Sequence, residues 1–491
     1  MASIRKSLTQ TFATTYLKLI LQVVGLIVLA RLLGPEEIGI YTIAAVFVGF
    51  AQELRNFAVG HYIIQEPDLT PHRFRAAFSV TLILGFSMGL ALYLAAPFAG
   101  TLYGEPGIES ILSLVALNFL LVPFGTIVLA YFRREMQFGK IMLVETASTM
   151  VHTATGIILA YIGFSYMSLA WAAIAGTVTT LLLAQLMRPA GIPWLPGVRE
   201  IKRVFSFGLY MTGSTMVGRL GIDIPSLIIG KTLGMPAVGL LSRGSSLVRI
   251  FDRLIVQGAR PVIMPYLSAK KRSGGELDTS YLYAVTCVSG MAWPFFISLA
   301  LLADPVVNLV LGPKWTEIIP LLSVWVLAPS LRMLTPFAQD LFVASGSVKL
   351  FFRLQTYMIS VHVVVVTLAA FHSLQALIIA FSISQFIQQA IVSPAIYRLI
   401  KTDLRAHWKA VVPSVYVALT TAIAVSVSIF LTDSPDTRPL TELSAASFAA
   451  LLGWITGCYM VKHPLLTEFK RIVSAIWHHS RRLMNSRQSA K

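Results

Sequence analysis

Arg31-Leu-Leu-Gly-Pro-Glu-Glu-Ile-Gly-Ile40 closes one long apolar run and opens the next. Further on, Lys231-Thr-Leu-Gly-Met-Pro-Ala-Val-Gly-Leu240 does the same, with Leu33 matching Leu233, Gly34 matching Gly234 and Gly39 matching Gly239. Each copy ends one apolar run and begins another across a tight turn. Glycine suits such a turn because it reaches φ > 0 without steric cost and lets helix ends approach closely. The flanking runs are long enough to cross a bilayer, whose core of roughly 30 Å needs about 20 mostly apolar residues of helix.

About fourteen such runs fill the chain: residues 12–33, 38–62, 76–100, 109–131, 140–162, 165–187, 205–233, 237–264, 281–303, 318–344, 350–371, 374–396, 408–431 and 443–461. Of 491 residues, 56% are hydrophobic and 12% charged, and mean hydropathy is +0.74. Soluble domains carry about 25% charged residues, so this composition excludes a soluble protein. The net charge of +17 raises nucleic acid as a partner. Placement excludes it, because the cations lie between apolar runs and in the tail, not on a compact soluble domain. The first run is too long for a signal-peptide core of roughly 7–15 residues and reads as a retained span. Cys287 and Cys458 both fall inside apolar runs, as free thiols without a disulfide framework or metal set.

Turns after even-numbered runs are rich in cations: Arg73 and Arg75; Arg133, Arg134 and Lys140; Arg188, Arg199, Lys202 and Arg203; Lys270, Lys271 and Arg272; Lys349; Arg398, Lys401, Arg405 and Lys409. Turns after odd-numbered runs hold almost none, Lys314 and Arg438 excepted. The cation-rich side is expected in the cytoplasm, which places both termini there. Six runs separate the two copies of the repeated turn, and an even number leaves both halves with one topology. Such halves relate by an axis along the membrane normal. The expected organisation is an all-α polytopic membrane protein with six-helix halves over residues 1–200 and 201–400. Helices thirteen and fourteen are appended over 401–463, and a basic amphipathic cytoplasmic tail covers 464–491. In that tail Leu465, Leu466, Phe469, Ile472, Val473, Ile476 and Trp477 recur at helical spacing opposite Lys470, Arg471, Arg481 and Arg482.

Several runs carry charge in their middle. Arg249, Arg253 and Arg260 are spaced by four and seven residues, so at 100° per residue they share one face, with Asp252 at its edge. A guanidinium in hydrocarbon costs roughly 2.5–3.5 kcal/mol, so this face is expected to look inward. Arg219 and Asp223 are four apart and can pair along one helix. Lys18, Arg55 and Asn56 join them from the first two runs, and Arg332 and Arg353 from the tenth and eleventh; His152 lies in the fifth. Arginine forms bidentate bonds to phosphate oxygens and keeps its proton, which suits a desolvated anion site. Lys18, Arg55, Arg219, Arg249, Arg253 and Arg260 therefore form the candidate pyrophosphate-binding set. The structural alternative applies to Arg243, Arg260 and Arg353, which lie near a boundary and can snorkel to headgroups. The acids Glu53, Glu145, Asp223, Asp252 and Asp340 either pair with these cations or carry a coupling proton or sodium ion. Pro123, Gly125, Pro225, Pro294 and Pro336 mark expected kinks. There is no Gly-x-x-x-x-Gly-Lys-Ser/Thr phosphate loop and hence no built-in ATP motor. No catalytic set, metal site or cofactor is expected, and His478-His479 reads as a solvated pair.

Leu29-Ala-Arg-Leu-Leu-Gly-Pro-Glu-Glu-Ile-Gly-Ile-Tyr41 and Gly60-His-Tyr-Ile-Ile-Gln65 resemble the opening of bacterial polysaccharide transporters. Leu227-Ile-Ile-Gly-Lys-Thr-Leu-Gly234 with Val238-Gly-Leu240, and Val310-Leu-Gly-Pro-Lys-Trp315, are similar too. These transporters are the Wzx-type flippases of lipid-linked oligosaccharides, in one superfamily (MOP) with lipid II flippases and multidrug antiporters. The resemblance spans roughly residues 5–400. It implies two six-helix lobes around a central cavity, rocking between inward and outward openings in the bacterial inner membrane. It further implies an undecaprenyl-pyrophosphate-linked oligosaccharide as substrate, for O-antigen or exopolysaccharide synthesis beside a polymerase and glycosyltransferases. An antiporter of cationic drugs is the first rival, but it prefers acidic or aromatic pockets, against the arginine surplus here. A membrane glycosyltransferase or O-antigen ligase needs a sizeable extracytoplasmic loop, and the longest here cover roughly residues 432–442 and 304–317. The expectation is a transporter, not an enzyme.

Overall fold

The computed structural model describes residues 2–56, 59–189, 193, 195–432, 439–471 and 474. Among these residues there is helix, turn and loop but no strand. The chain opens with α1 (Ala2–Leu32), α2 (Pro35–Asn56), the short α3 (Val59–Gln65), α4 (Pro71–Tyr103), α5 (Pro106–Arg134), α6 (Phe138–Tyr161) and α7 (Met167–Leu186). Then follow α8 (Ile201–Thr232), α9 (Gly234–Val248), α10 (Gln257–Arg272), α11 (Asp278–Leu301), α12 (Ala303–Val306), α13 (Ile318–Trp325), α14 (Leu327–Arg332) and α15 (Ala338–Ala344). The long helices α16 (Val348–Ala370), α17 (Leu374–Ile400), α18 (Leu404–Thr432) and α19 (Pro439–Met460) complete the order.

Among the described residues, eleven helices are long and apolar enough to cross a membrane. They correspond to expected spans one to six, nine and eleven to fourteen. The remaining three are helical in another way. Span seven is α8, a single helix of 32 residues carrying Lys202, Arg203, Arg219, Asp223 and Lys231. Span eight is divided into α9, a π-helical turn at Asp252–Val256, and α10. Span ten is divided into α13, α14 and α15, with Pro329 in α14 and Pro336 in the break before α15. Proline removes a donor and clashes with the preceding turn, which interrupts a helix. Pro123, Pro225 and Pro294 lie within α5, α8 and α11, where the backbone stays helical. The amphipathic repeat of the tail falls largely outside the described residues.

Two compact units emerge. The first holds residues 1–242 with the turn Leu311–Trp315. In it α4 packs on α5, α6 on α7, and α1 on α6. A core of Phe74, Phe78, Val128, Phe132, Val144 and Val204 joins α4, α5, α6 and α8. This unit runs past residue 200 because α8 lies against α2, α3 and α4. The second unit holds residues 243–310 and 316–491. There α11, α18 and α19 form one bundle, while α17 packs on α16, α13 and α14. A cavity of about 380 Å³ lined by Phe295, Leu302, Leu443, Leu451 and Trp454 opens between α11, α18 and α19; it is apolar.

Candidate functional site

In the first unit, the charged side chains of the apolar helices gather into two clusters. On α1, Lys18 Nζ lies 2.8 Å from Glu145 Oε2 of α6. The other oxygen of Glu145 accepts from Arg133 Nη2 at 3.2 Å. One carboxylate therefore neutralises a cation from an apolar run and another from the cation-rich turn. The second cluster is built on α8. Arg219 Nε lies 2.8 Å from Asp223 Oδ2 one turn along the same helix, and Nη1 lies 3.4 Å from Glu53 of α2. The i,i+4 pair is the one expected from spacing. Its reach to α2 is made possible by Gly49, where any side chain would overlap the Arg219 guanidinium. Arg55, near the end of α2, donates to Asn56 Oδ1 at 2.7 Å, and its guanidinium sits 5.4 Å from the centre of the Phe119 ring. A cation over a ring face is held by the ring quadrupole.

The second unit places its charges around the interrupted helices. Arg249 is exposed and donates to Ser245 Oγ at 2.9 Å. Arg253 follows one turn later, also exposed, and forms no ion pair among the described residues. Asp252, at the start of the π turn, accepts from Arg332 Nη2 of α14 at 2.8 Å and from Gln257 at 3.2 Å. Arg260, beyond the turn, lies 3.6 Å from Asp340 of α15. A π turn closes i→i+5 bonds and so holds about one extra residue, which rotates everything beyond it by roughly 100°. The shared face expected for Arg249, Arg253 and Arg260 holds for the first two. Arg260 is turned away and engaged elsewhere.

Sequence spacing alone reached Arg219–Asp223, and it placed Asp252 beside the arginine row. It missed Arg133 on Glu145, Arg219 on Glu53, Gly49 and Phe119, because each contact joins two different helices and periodicity reads only within one. It also missed a neutral network in the second unit. His463 is buried and its Nε2 donates to Ser414 Oγ at 3.2 Å. Ser414 also accepts from Ser289 Oγ at 2.8 Å and donates to the Thr286 carbonyl at 3.2 Å. Among the described residues, no group of three or more His, Cys, Asp or Glu is placed to hold a metal ion.

Residues 28–320 match the model of a family described as "Polysaccharide biosynthesis protein". The chain is 22% identical over 343 residues to the lipopolysaccharide biosynthesis protein WzxC of Escherichia coli (strain K12), covering 69% of each chain. It is 24% identical over 319 residues to the succinoglycan biosynthesis transport protein ExoT of Rhizobium meliloti (strain 1021), covering 63% of this chain and 62% of that one. In fold it is similar to the lipid II flippase MurJ in an inward closed conformation, with TM-score 0.72 and 12% identity over 94% of this chain and 99% of that one. The family match covers more than half of the sequence, and the fold it carries is that of a polytopic membrane transporter; the chain belongs to the polysaccharide biosynthesis protein family.

Proposed function

We propose that this protein is a flippase that moves a polyprenyl-pyrophosphate-linked oligosaccharide across the bacterial inner membrane, for O-antigen or exopolysaccharide assembly. A glycan and a charged diphosphate cannot cross hydrocarbon unaided, so the head needs a hydrated path with fixed cations while the lipid tail stays in the bilayer. The observation that carries this reading is the pair Arg249 and Arg253. They stand exposed one turn apart, just where the helix opens into a π turn. Two guanidiniums at that spacing can grip adjacent phosphoryl groups bidentately. π turns inside α-helices occur frequently at functional sites, which suits this role.

The five candidate coupling acids each have a cation within reach: Glu53 and Asp223 share Arg219, Glu145 holds Lys18 and Arg133, Asp252 holds Arg332, and Asp340 holds Arg260. A coupling proton or sodium ion would first have to displace one of these partners. The membrane potential offers a simpler drive, because carrying one negative charge out of a negative cytoplasm gains roughly 2.3 kcal/mol per 100 mV. Both termini and the cation-rich turns face the cytoplasm in this reading. Glycosyltransferases would then supply the substrate on that side, and a polymerase would receive it on the other. The test is lipid analysis of protein purified from its membrane. A polyprenyl-pyrophosphate glycan is expected to co-purify, and to be lost with Arg249→Ala and Arg253→Ala. Recovery of bulk phospholipid alone, or retention of the glycan lipid by both variants, overturns the proposal.

A further inference from the structure

The turns on the cation-rich side use their cations in two ways. In the first unit the cations engage the protein itself. Arg73 pairs with Glu66 and Glu200, each at 3.0 Å. Arg134 donates to the carbonyls of Ile63 and Pro67 at 2.7 and 3.1 Å. Arg188 donates to the Pro193 carbonyl at 2.6 Å, and Lys140 Nζ sits 4.9 Å from the centre of the Phe132 ring. The turn between α17 and α18, inside the second unit, differs. Arg398, Lys401, Arg405 and Lys409 are all exposed there. None of the four forms an ion pair or a side-chain hydrogen bond among the described residues. The one carboxylate of the turn, Asp403, is occupied as a cap and accepts from the Ala406 amide at 2.7 Å. Beside these cations Leu404 and Trp408 stand 66% and 57% exposed, one helical turn apart at the start of a membrane-length helix.

We propose that this turn is a binding site for the headgroup of an anionic phospholipid, separate from the transported lipid. Local stability disfavours a cation at two of its positions. Lys401 ends α17 at φ 56°, the left-handed conformation that glycine adopts freely and lysine rarely. Arg405 lies in the first turn of α18, at the positive end of the helix dipole, where a cation is unfavourable. Cations kept against both preferences point to a use outside the fold. Their arrangement supplies one. Arg405 and Lys409 share one face of α18, and Leu404 and Trp408 share the next, 100° round the helix. A phosphate can accept from Arg405 and Lys409 while Leu404 and Trp408 meet the acyl chains beneath it. Tryptophan at that level is an interfacial anchor of spanning helices, and cations beside it attract anionic lipid. A soluble anion or an acidic peptide would match the charge but leave the apolar face bare. A lipid answers both.

The experiment uses the full chain in a neutral detergent, titrated with phosphatidylglycerol or with phosphatidylcholine of the same acyl chains. Mass spectrometry of the intact complex counts the bound lipid. Phosphatidylglycerol is expected to bind about tenfold more tightly. Arg405→Gln with Lys409→Gln is expected to remove that preference, and Trp408→Ala to weaken phosphatidylglycerol binding several-fold. Lys271→Gln with Arg272→Gln takes the same charge from the exposed end of α10 and is expected to leave the preference intact. Lys401→Gly relaxes a left-handed residue, so it decides the matter where another variant does not fold; it is expected to weaken phosphatidylglycerol binding several-fold. Equal affinity for the two lipids, equal loss in both double variants, or a parent-like preference in Lys401→Gly and in the Arg405/Lys409 variant overturns the site. So does displacement of the lipid by glycerol phosphate at equal concentration, which would make the ligand a free phosphate. The Arg405/Lys409 variant is also expected to keep the co-purifying glycan lipid. Its loss would place the transported head at this turn and overturn the assignment to a phospholipid.

Discussion

The two compact units bury charge in opposite ways. In the first, cations and acids sit on unbroken helices and close on one another: Lys18 and Arg133 on Glu145, Arg219 on Glu53 and Asp223. In the second, they sit on interrupted helices. Asp252 and Asp340 take Arg332 and Arg260, while Arg249 before the π turn and Arg253 within it remain exposed. A desolvated charge must be paired, and a helix that stays continuous can hold its partner at fixed spacing. A broken helix frees backbone groups that require a wet or protein-lined surrounding. The first unit's charges are thus held in ion pairs on continuous helices, and in the second Arg249 and Arg253 stay exposed beside pairs of the same kind.

The largest expected effect separates these roles. Arg219→Met removes a cation shared by two partly buried carboxylates in the first unit. Breaking a fully buried pair costs about 3–5 kcal/mol, and a smaller loss of about 2 kcal/mol applies here because the Arg219 and Glu53 side chains are 32% and 28% exposed. Thermal denaturation in detergent is expected to show that loss, and Arg219→Met with Glu53→Gln and Asp223→Asn to recover most of it. Arg253→Ala is expected to shift stability by no more than about 0.5 kcal/mol while losing the bound glycan lipid. Equal destabilisation by both variants would erase the distinction.

The neutral network of the second unit sharpens the contrast, since it holds α11 to α18 and the chain after α19 without any charge. The Leu465 amide donates to His463 Nδ1, so Nε2 carries the proton given to Ser414. Burial holds the His463 pKa down to about 4, below its ordinary value near 6.5. Between those values the unfolded chain takes up a proton that the folded chain refuses, so stability is full above about pH 6.5 and falls as the pH drops toward 4. By about pH 5 the loss is roughly 2 kcal/mol. His463→Gln, which can still donate to Ser414, is expected to flatten this slope in pH-dependent melting. An unchanged slope would move the titrating group elsewhere.

Lys18 gives a smaller effect because its partner is shared. With Lys18→Met, Glu145 keeps Arg133, and both original cations are about a third exposed or more. A loss of no more than about 1 kcal/mol in a melt is expected. A loss as large as that of Arg219→Met would mean that Arg133 cannot hold Glu145 alone.

What the sequence reveals follows from the range of each interaction. Apolar length is local, so eleven expected spans correspond to helices long and apolar enough to cross a membrane, and Arg219–Asp223 follows from one turn of spacing. The glycines of the repeated turn were visible as a pattern, but the close approach of Gly39 to the Met235 carbonyl, and of Gly239 to that of Pro35, depends on two backbones meeting across many intervening residues. Glu53 and Arg219 are 166 residues apart, and Lys18 and Glu145 are 127 apart; no periodicity links them. The π turn escaped for another reason. A constant 100° per residue is the assumption that reads a face from spacing, and Asp252–Val256 breaks that assumption in the middle of the arginine row.

Arg260 is therefore the most sensitive probe of the comparison, although its effect is the smallest. Spacing alone groups it with Arg249 and Arg253 as a phosphate ligand; the π turn rotates it onto Asp340 at 3.6 Å, with its side chain 46% exposed. An ion pair that long and that exposed contributes little, and Arg260→Gln is expected to change stability by no more than about 0.5 kcal/mol. It is also expected to keep the co-purifying glycan lipid that Arg249→Ala and Arg253→Ala lose. Asp340→Asn should behave like Arg260→Gln, because both remove the same weak pair. If Arg260→Gln instead abolishes lipid retention while Asp340→Asn does not, the guanidinium itself contacts the head. The anion site would then extend across the π turn, and the boundary between held and presented charge would fall beyond Arg260.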